Sequence, residues 1–170
     1  MRTLSFLPSL APRLPSLLAA FAVATSSAVL ADEQPASNAS AGEMTPVQRA
    51  ESTPRGELKN PFSGQAAMEA EGRKLYMSYG CSGCHGGTGG GGMCPPINGD
   101  VWFYGIGDDV LFRLIAIGSV GMQQAGFDRL GGQGLQMPPF GTIIKTDEET
   151  WKIIAWIRTI YKGDPKKKNW

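Results

Sequence analysis

The sequence predicts an all-α domain preceded by a disordered leader, and three observations carry that prediction. Runs of helix formers with apolar residues at helical spacing occupy positions 66–80, 109–117 and 146–161. The stretches between them are rich in glycine and proline, which interrupt regular structure. Between the first two runs lies Cys81-Ser82-Gly83-Cys84-His85, the C-x-x-C-H form of covalent c-type haem attachment. The helices are therefore expected to wrap around one haem. A chain of 170 residues, 42% of them hydrophobic and 18% charged, suits one domain of ordinary size.

Residues 1–31 carry Arg2 and Arg13, no acidic residue, an apolar run from Leu17 to Val23 and a small-residue end at Val29-Leu30-Ala31. That is the layout of a secretory signal peptide cleaved after Ala31. The alternative is a retained membrane anchor. The apolar run is only about half the roughly 20 residues a spanning helix needs, and Thr25, Ser26 and Ser27 interrupt it. Two of the sixteen Lys and Arg and none of the fifteen Asp and Glu lie in this segment, so the mature chain has a formal charge of −1. Such a balance offers no basic field for nucleic acid. Residues 32–64 are rich in Ala, Ser, Pro, Thr and Glu without a sustained period, and read as a flexible N-terminal segment that docks late if at all.

The first helix contains Ala66, Ala67, Ala70, Leu75 and Tyr76 and ends at Gly80. Gly72 in its middle costs about 1 kcal/mol relative to Ala at an exposed site. It is either a weak spot or a place where another element must approach its backbone closely. In the motif that follows, Cys81 and Cys84 can each form a thioether to a haem vinyl group, and His85 reaches the iron from the proximal side. Residues 86–99 contain seven glycines, which rules out a stable helix or strand there. No G-K-[ST] follows, so a phosphate-binding loop is a poor reading. Trp102-Phe103-Tyr104-Gly105 supplies aromatics suited to covering one side of a haem, or equally to an ordinary core.

The second helix starts with Asp108 or Asp109 as N-cap, shows Val110, Leu111, Leu114 and Ile115 on its apolar face, and stops at Gly118. Ser119–Gln136 reads as an aperiodic connection. The last helix is the best defined. Thr146 and Glu149 fit a capping box, with Asp147 and Glu148 in the first turn where the helix dipole favours negative charge. Trp151, Ile154, Ile157 and Tyr161 form its stripe, and Gly163 and Pro165 close it. The domain thus runs over 65–163, and 164–170 is a basic, solvated tail.

His85 is the sole histidine, which excludes bis-histidine ligation within the chain. The remaining distal candidates are Met93, Met122 and Met137. Met137 leads, because Pro138-Pro139-Phe140-Gly141 forms a rigid turn that would hold its sulfur with little entropy to lose. Met122 and an open site are the alternatives. A thioether raises the reduction potential relative to His/His ligation.

From about Ala66 to Lys162 the chain resembles class I c-type cytochromes: helix, C-x-x-C-H, Pro-containing loop, middle helix, M-P loop and aromatic C-terminal helix. The resemblance implies that Gly72 meets Trp156 where the first and last helices cross. It also implies that a proline carbonyl in a G-P-x-[LI]-x-G segment accepts a hydrogen bond from the proximal histidine. Here that segment reads Cys94-Pro95-Pro96-Ile97-Asn98-Gly99, matching at Pro95, Ile97 and Gly99 with Cys94 in place of glycine. Gly80 to Met93, Trp102 to Gly105 and Met137 to Gly141 are similar to the cytochrome cL-like acceptors of PQQ-dependent methanol and alcohol dehydrogenases. Ser119–Gln136 departs from the shorter members of that group. The implied site is Cys81, Cys84, Pro95, Ile97 and Trp102 around haem c, with His85 and Met137 as iron ligands. The implied role is a periplasmic carrier, not an enzyme, which takes single electrons from such a dehydrogenase and passes them to another cytochrome or oxidase.

A haem enzyme or ligand sensor with an open distal site is the competing function, but it would need a distal acid/base group and no second histidine exists. A Cys₃His zinc site from Cys81, Cys84, His85 and Cys94 has the right ligand count and lacks the wider finger pattern. Cys94, left over, is either a free thiol available for intermolecular pairing or a buried, inert cysteine.

Overall fold

Two helices cross so closely that only glycine fits between them. In the computed structural model, which describes residues 44–131 and 135–164, α2 (Ala66–Ser78) lies on α5 (Asp147–Thr159). A Cβ built on Gly72 would stand 1.8 Å from the Lys152 carbonyl oxygen. The glycine is therefore the contact point of the crossing, and its helix-propensity cost is offset by the packing it permits. The contact differs in register from the expected Gly72–Trp156 pairing: the atoms nearest Gly72 belong to the Lys152 and Ile153 backbone. Trp156, one turn on, stacks on Tyr76 with ring centroids 4.4 Å apart.

Around this crossing the other elements are α1 (Pro46–Ser52), α3 (Cys81–His85), α4 (Asp108–Gln124) and a 3-10 turn at Phe140–Thr142. The described residues form no strand. The core is assembled from Tyr76, Phe112, Ile144, Ile153 and Ile154, each essentially inaccessible, with Phe112 tilted against Trp151 at 4.3 Å. α5 begins with both halves of the expected capping box, Thr146 to the Glu149 amide and Glu149 back to the Thr146 amide. It ends at Thr159 with Ile160 as C-cap, before the Gly163 and Pro165 expected to stop it. Tyr161 therefore lies beyond the helix.

The chain from Met44 to Gly64, expected to be flexible, is instead built into the fold where it is described. Thr45 and Gln48 form a capping box for α1, and Ala50 and Leu58 are buried. Two acidic residues at the start of α4 hold this segment. Asp109 pairs with Arg113 at 3.0 Å, and Arg113 donates to the carbonyls of Ala50, Thr53 and Pro54. Asp108 accepts from the Asn60 amide at 2.9 Å and pairs with Arg158 of α5 at 2.8 Å. These contacts explain why Asp108 and Asp109 stand inside the helix, with Gly107 as N-cap, where a cap alone was expected. Arg49 on α1 closes the set with Asp147 at 2.6 Å.

Gly118 does interrupt α4, at φ 68° and ψ 178°, but helical geometry resumes beyond it as far as Gln124. Part of the expected Ser119–Gln136 connection is thus helix. The signal segment 1–31, the start of the leader at 32–43 and the Lys166–Lys168 tail lie outside the described residues.

Gly72→Ala tests the crossing. A methyl against a rigid carbonyl cannot be absorbed by a side-chain rotation, so the loss should be about 3 kcal/mol, the upper part of the overpacking range. Urea unfolding of the variant measures it, and a loss of only a few tenths of a kcal/mol would mean that the helices separate at little cost.

Candidate functional site

α2 leads into α3 through Gly80 at φ 77°, and α3 ends on Gly86 at the same φ. Both positions are left-handed, where a side chain is strained, and together they confine Cys81–His85 to a single helical turn. Residues four apart in such a turn share a face, and Cys81 and His85 both line one cleft. Cys84 is half-buried on the same turn but lies outside the cleft wall. Burial pushes the free Cys81 thiol up to about 11.

The glycine-rich loop folds back onto this turn. The amide of Gly91 donates to the His85 carbonyl at 2.9 Å and that of Cys94 to the Cys84 carbonyl at 3.0 Å, satisfying acceptors that a helix end leaves open. Side chains would obstruct the return: a Cβ on Gly86 would lie 2.6 Å from the Gly91 carbonyl oxygen. The fold-back brings the Pro95 carbonyl 2.8 Å from His85 Nδ1. A carbonyl can only accept, so Nδ1 carries the proton and Nε2 keeps its lone pair. Cys94 in place of the family's glycine thus leaves this contact intact. Its thiol, raised to about 11 by burial first and then by the neighbouring Cys84, remains uncrosslinked. Among the described residues no group of three or more His, Cys, Asp or Glu is placed to hold a metal ion, so Cys81, Cys84, His85 and Cys94 do not gather into the zinc arrangement.

The cleft has a volume of about 120 Å³ and is walled by apolar side chains. Ile97 and Trp102 stand beside Pro95, Leu111, Leu114 and Ile115 come from α4, and Ile153 and Ile157 come from α5. The Trp102 indole N–H donates to the Gly99 carbonyl at 2.5 Å, and the Tyr76 hydroxyl to the Gly86 carbonyl at 2.6 Å.

Met137 also lines the cleft, and its backbone is held from both sides. Its amide donates to Ser119 Oγ at 3.0 Å, and its carbonyl accepts from the Ser119 amide at 2.8 Å. The approach needs Gly118, where a Cβ would come within 2.6 Å of the Met137 carbonyl oxygen. Met122 is wholly buried outside the cleft, and Met93 is 68% exposed, also outside it. Of the residues expected at the site, only Cys84 is not part of this wall.

Sequence reasoning missed Arg129, which also lines the cleft and has a buried, unpartnered Nη1. No motif marks it. The cleft therefore offers a free imidazole nitrogen, a thioether, the Cys81 thiol with Cys84 on the same turn, broad apolar walls and a buried Arg129 nitrogen without a partner among the described residues. Those features fit haem, a flat apolar ring with an iron, two vinyl groups and two carboxylates.

A helical shell closed around such a cleft, with C-x-x-C-H on its edge, defines a monohaem class I c-type cytochrome. The family described as cytochrome c oxidase, cbb3-type, subunit III matches residues 67–157, more than half of the chain, and the protein belongs to that cytochrome c family. Similar solved structures are cytochrome cL from Hyphomicrobium denitrificans and cytochrome cL from the marine methylotrophic bacterium Methylophaga aminisulfidivorans. The first is 31% identical with a TM-score of 0.52, over 66% of this chain and 58% of that one. The second is 25% identical with a TM-score of 0.52, over 75% and 73%. The chain thus spans 58% of the length of the Hyphomicrobium protein. No curated protein matches it in sequence. The cytochrome c family implies covalently bound haem c as the cofactor. No helix among the described residues is long and apolar enough to cross a membrane.

Tyr76 gives this site a signature in alkali. Burial pushes its hydroxyl up to about 12 from 10.0, so its contribution is complete below pH 10 and lost as pH rises through 12. Tyr76→Phe should cost about 1 kcal/mol at neutral pH through the lost hydrogen bond. Its stability, read by urea unfolding, should then fall less steeply than the wild type's above pH 10.

Proposed function

We propose that Cys81 and Cys84 attach the haem, that His85 and Met137 are the iron ligands, and that the protein is a periplasmic electron carrier serving a PQQ-dependent methanol or alcohol dehydrogenase. The observation that carries the ligand assignment is that His85, with Nε2 free, and Met137 line the same apolar cleft. Bound haem supplies a one-electron Fe(III)/Fe(II) couple. The chain does the rest. Pro95 orients the imidazole and fixes its tautomer, which strengthens Nε2 as a donor. Ser119 immobilises the backbone of Met137. Ile97, Trp102 and the isoleucines of α5 exclude water, and lower polarity around an iron raises the cost of its extra positive charge. Methionine ligation acts in the same direction, toward a higher potential.

Support for the donor comes from two sides. Gly80 to Met93, Trp102 to Gly105 and Met137 to Gly141 resemble the cytochrome cL-like acceptors, and the similar structures are cytochromes cL, one of them from a methylotroph. A family named for an oxidase subunit agrees with onward delivery to the respiratory chain. The signal-like segment 1–31 supports export, since haem attachment of this type takes place outside the bacterial cytoplasmic membrane.

Replacing Met137 by alanine should abolish the weak absorption band of sulfur-to-ferric-iron ligation and open the ferrous protein to carbon monoxide. Persistence of the band would end the assignment. Ser119→Ala should keep the band but lose about 1 kcal/mol of stability, one hydrogen bond's worth. In stopped-flow mixing, a PQQ-dependent alcohol dehydrogenase should reduce the protein with saturating kinetics. Reduction no faster than by small reductants would remove that donor.

A further inference from the structure

We infer that Arg129 binds a carboxylate of the haem, which gives the stretch Arg129–Gly131 a cofactor-binding role. This rests on the haem reading above. Arg129 Nη1 is buried without a hydrogen-bond partner among the described residues. A guanidinium nitrogen withdrawn from water and left unpaired is costly, so an acceptor is required. Among the described residues no Asp or Glu lines the cleft to supply one. What enters the cleft must bring the negative charge, and haem brings two carboxylates on short flexible arms.

The position of Arg129 is built. Its guanidinium carbon lies 4.6 Å from the centre of the Phe103 ring, which occupies one face of the planar group and leaves its edge nitrogens for an acceptor. The next amide, of Leu130, donates to the Phe103 carbonyl at 2.7 Å. A Cβ on Gly131 would sit 3.3 Å from the same ring, so the strand of chain is clamped onto Phe103, itself part of the cleft wall. Three successive residues thus fasten one cation to the site. Stacking on Phe103 alone would not require burial of Nη1.

The test uses the full-length holoprotein with haem labelled with ¹³C at its carboxyl carbons. In Arg129→Gln one of the two carboxyl resonances should shift while the other stays. The midpoint potential should fall, because a positive charge near the iron has been removed. Arg129→Lys should restore the potential and part of the resonance position, which a purely structural arginine would not allow. A haem-loaded Arg129→Gln protein with both resonances and the potential unchanged overturns the assignment. So does equal loss of haem loading in the two variants, since lysine keeps the charge. Loss of loading in Arg129→Gln alone supports it. A wild-type protein without covalent haem would instead refute the proposed function, and is visible before any variant is made.

Discussion

The close approach of α2 to α5 at Gly72 is the constraint on which the site depends. α2 runs directly into α3, so the crossing sets where Cys81 and His85 stand. α5 supplies Ile153 and Ile157 to the cleft, so the same crossing sets where the opposing wall stands. Tyr76 serves both sides: it stacks on Trp156 of α5 and bonds the Gly86 carbonyl at the end of α3. A change of an ångström at Gly72 would be transmitted to both walls, because interiors are packed too densely to absorb it locally.

A second set of glycines does for His85 and Met137 what Gly72 does for the helices. Gly80 and Gly86 confine the Cys81–His85 turn, and the loop after it returns because glycines stand at its points of closest approach. Gly118 plays the matching part for Met137. At Gly86 and Gly118 the absent Cβ makes room for a carbonyl, that of Gly91 and that of Met137. The chain spends conformational entropy on these glycines and gains defined positions for His85 and Met137.

Much of this was legible in the residues. Cys81–His85 announced the cofactor because the chemistry fixes the spacing, and α5 was legible because cap, dipole charges and stripe agree over Thr146–Ile157. The Met44–Gly64 stretch was not, since its stability comes from Arg113, Asp108 and Asp109, some 50 residues away in sequence, and not from any period of its own. The helical continuation after Gly118 was hidden because a glycine with positive φ looks like a stop and here acts as a bend. Arg129 was invisible for a simpler reason: an arginine in an aperiodic segment acquires meaning only when its neighbours in space are known.

The stapling of the leader has a mechanical consequence. Chain tension arriving from ahead of Thr45 would meet α1 first, and α1 is fastened by Arg49 to Asp147 on α5 and, through the Ala50 carbonyl, to Arg113 on α4. The load path therefore reaches the two helices α4 and α5, and α5 bears on α2 at Gly72. Tension on the leader would thus be passed through that crossing toward Cys81–His85.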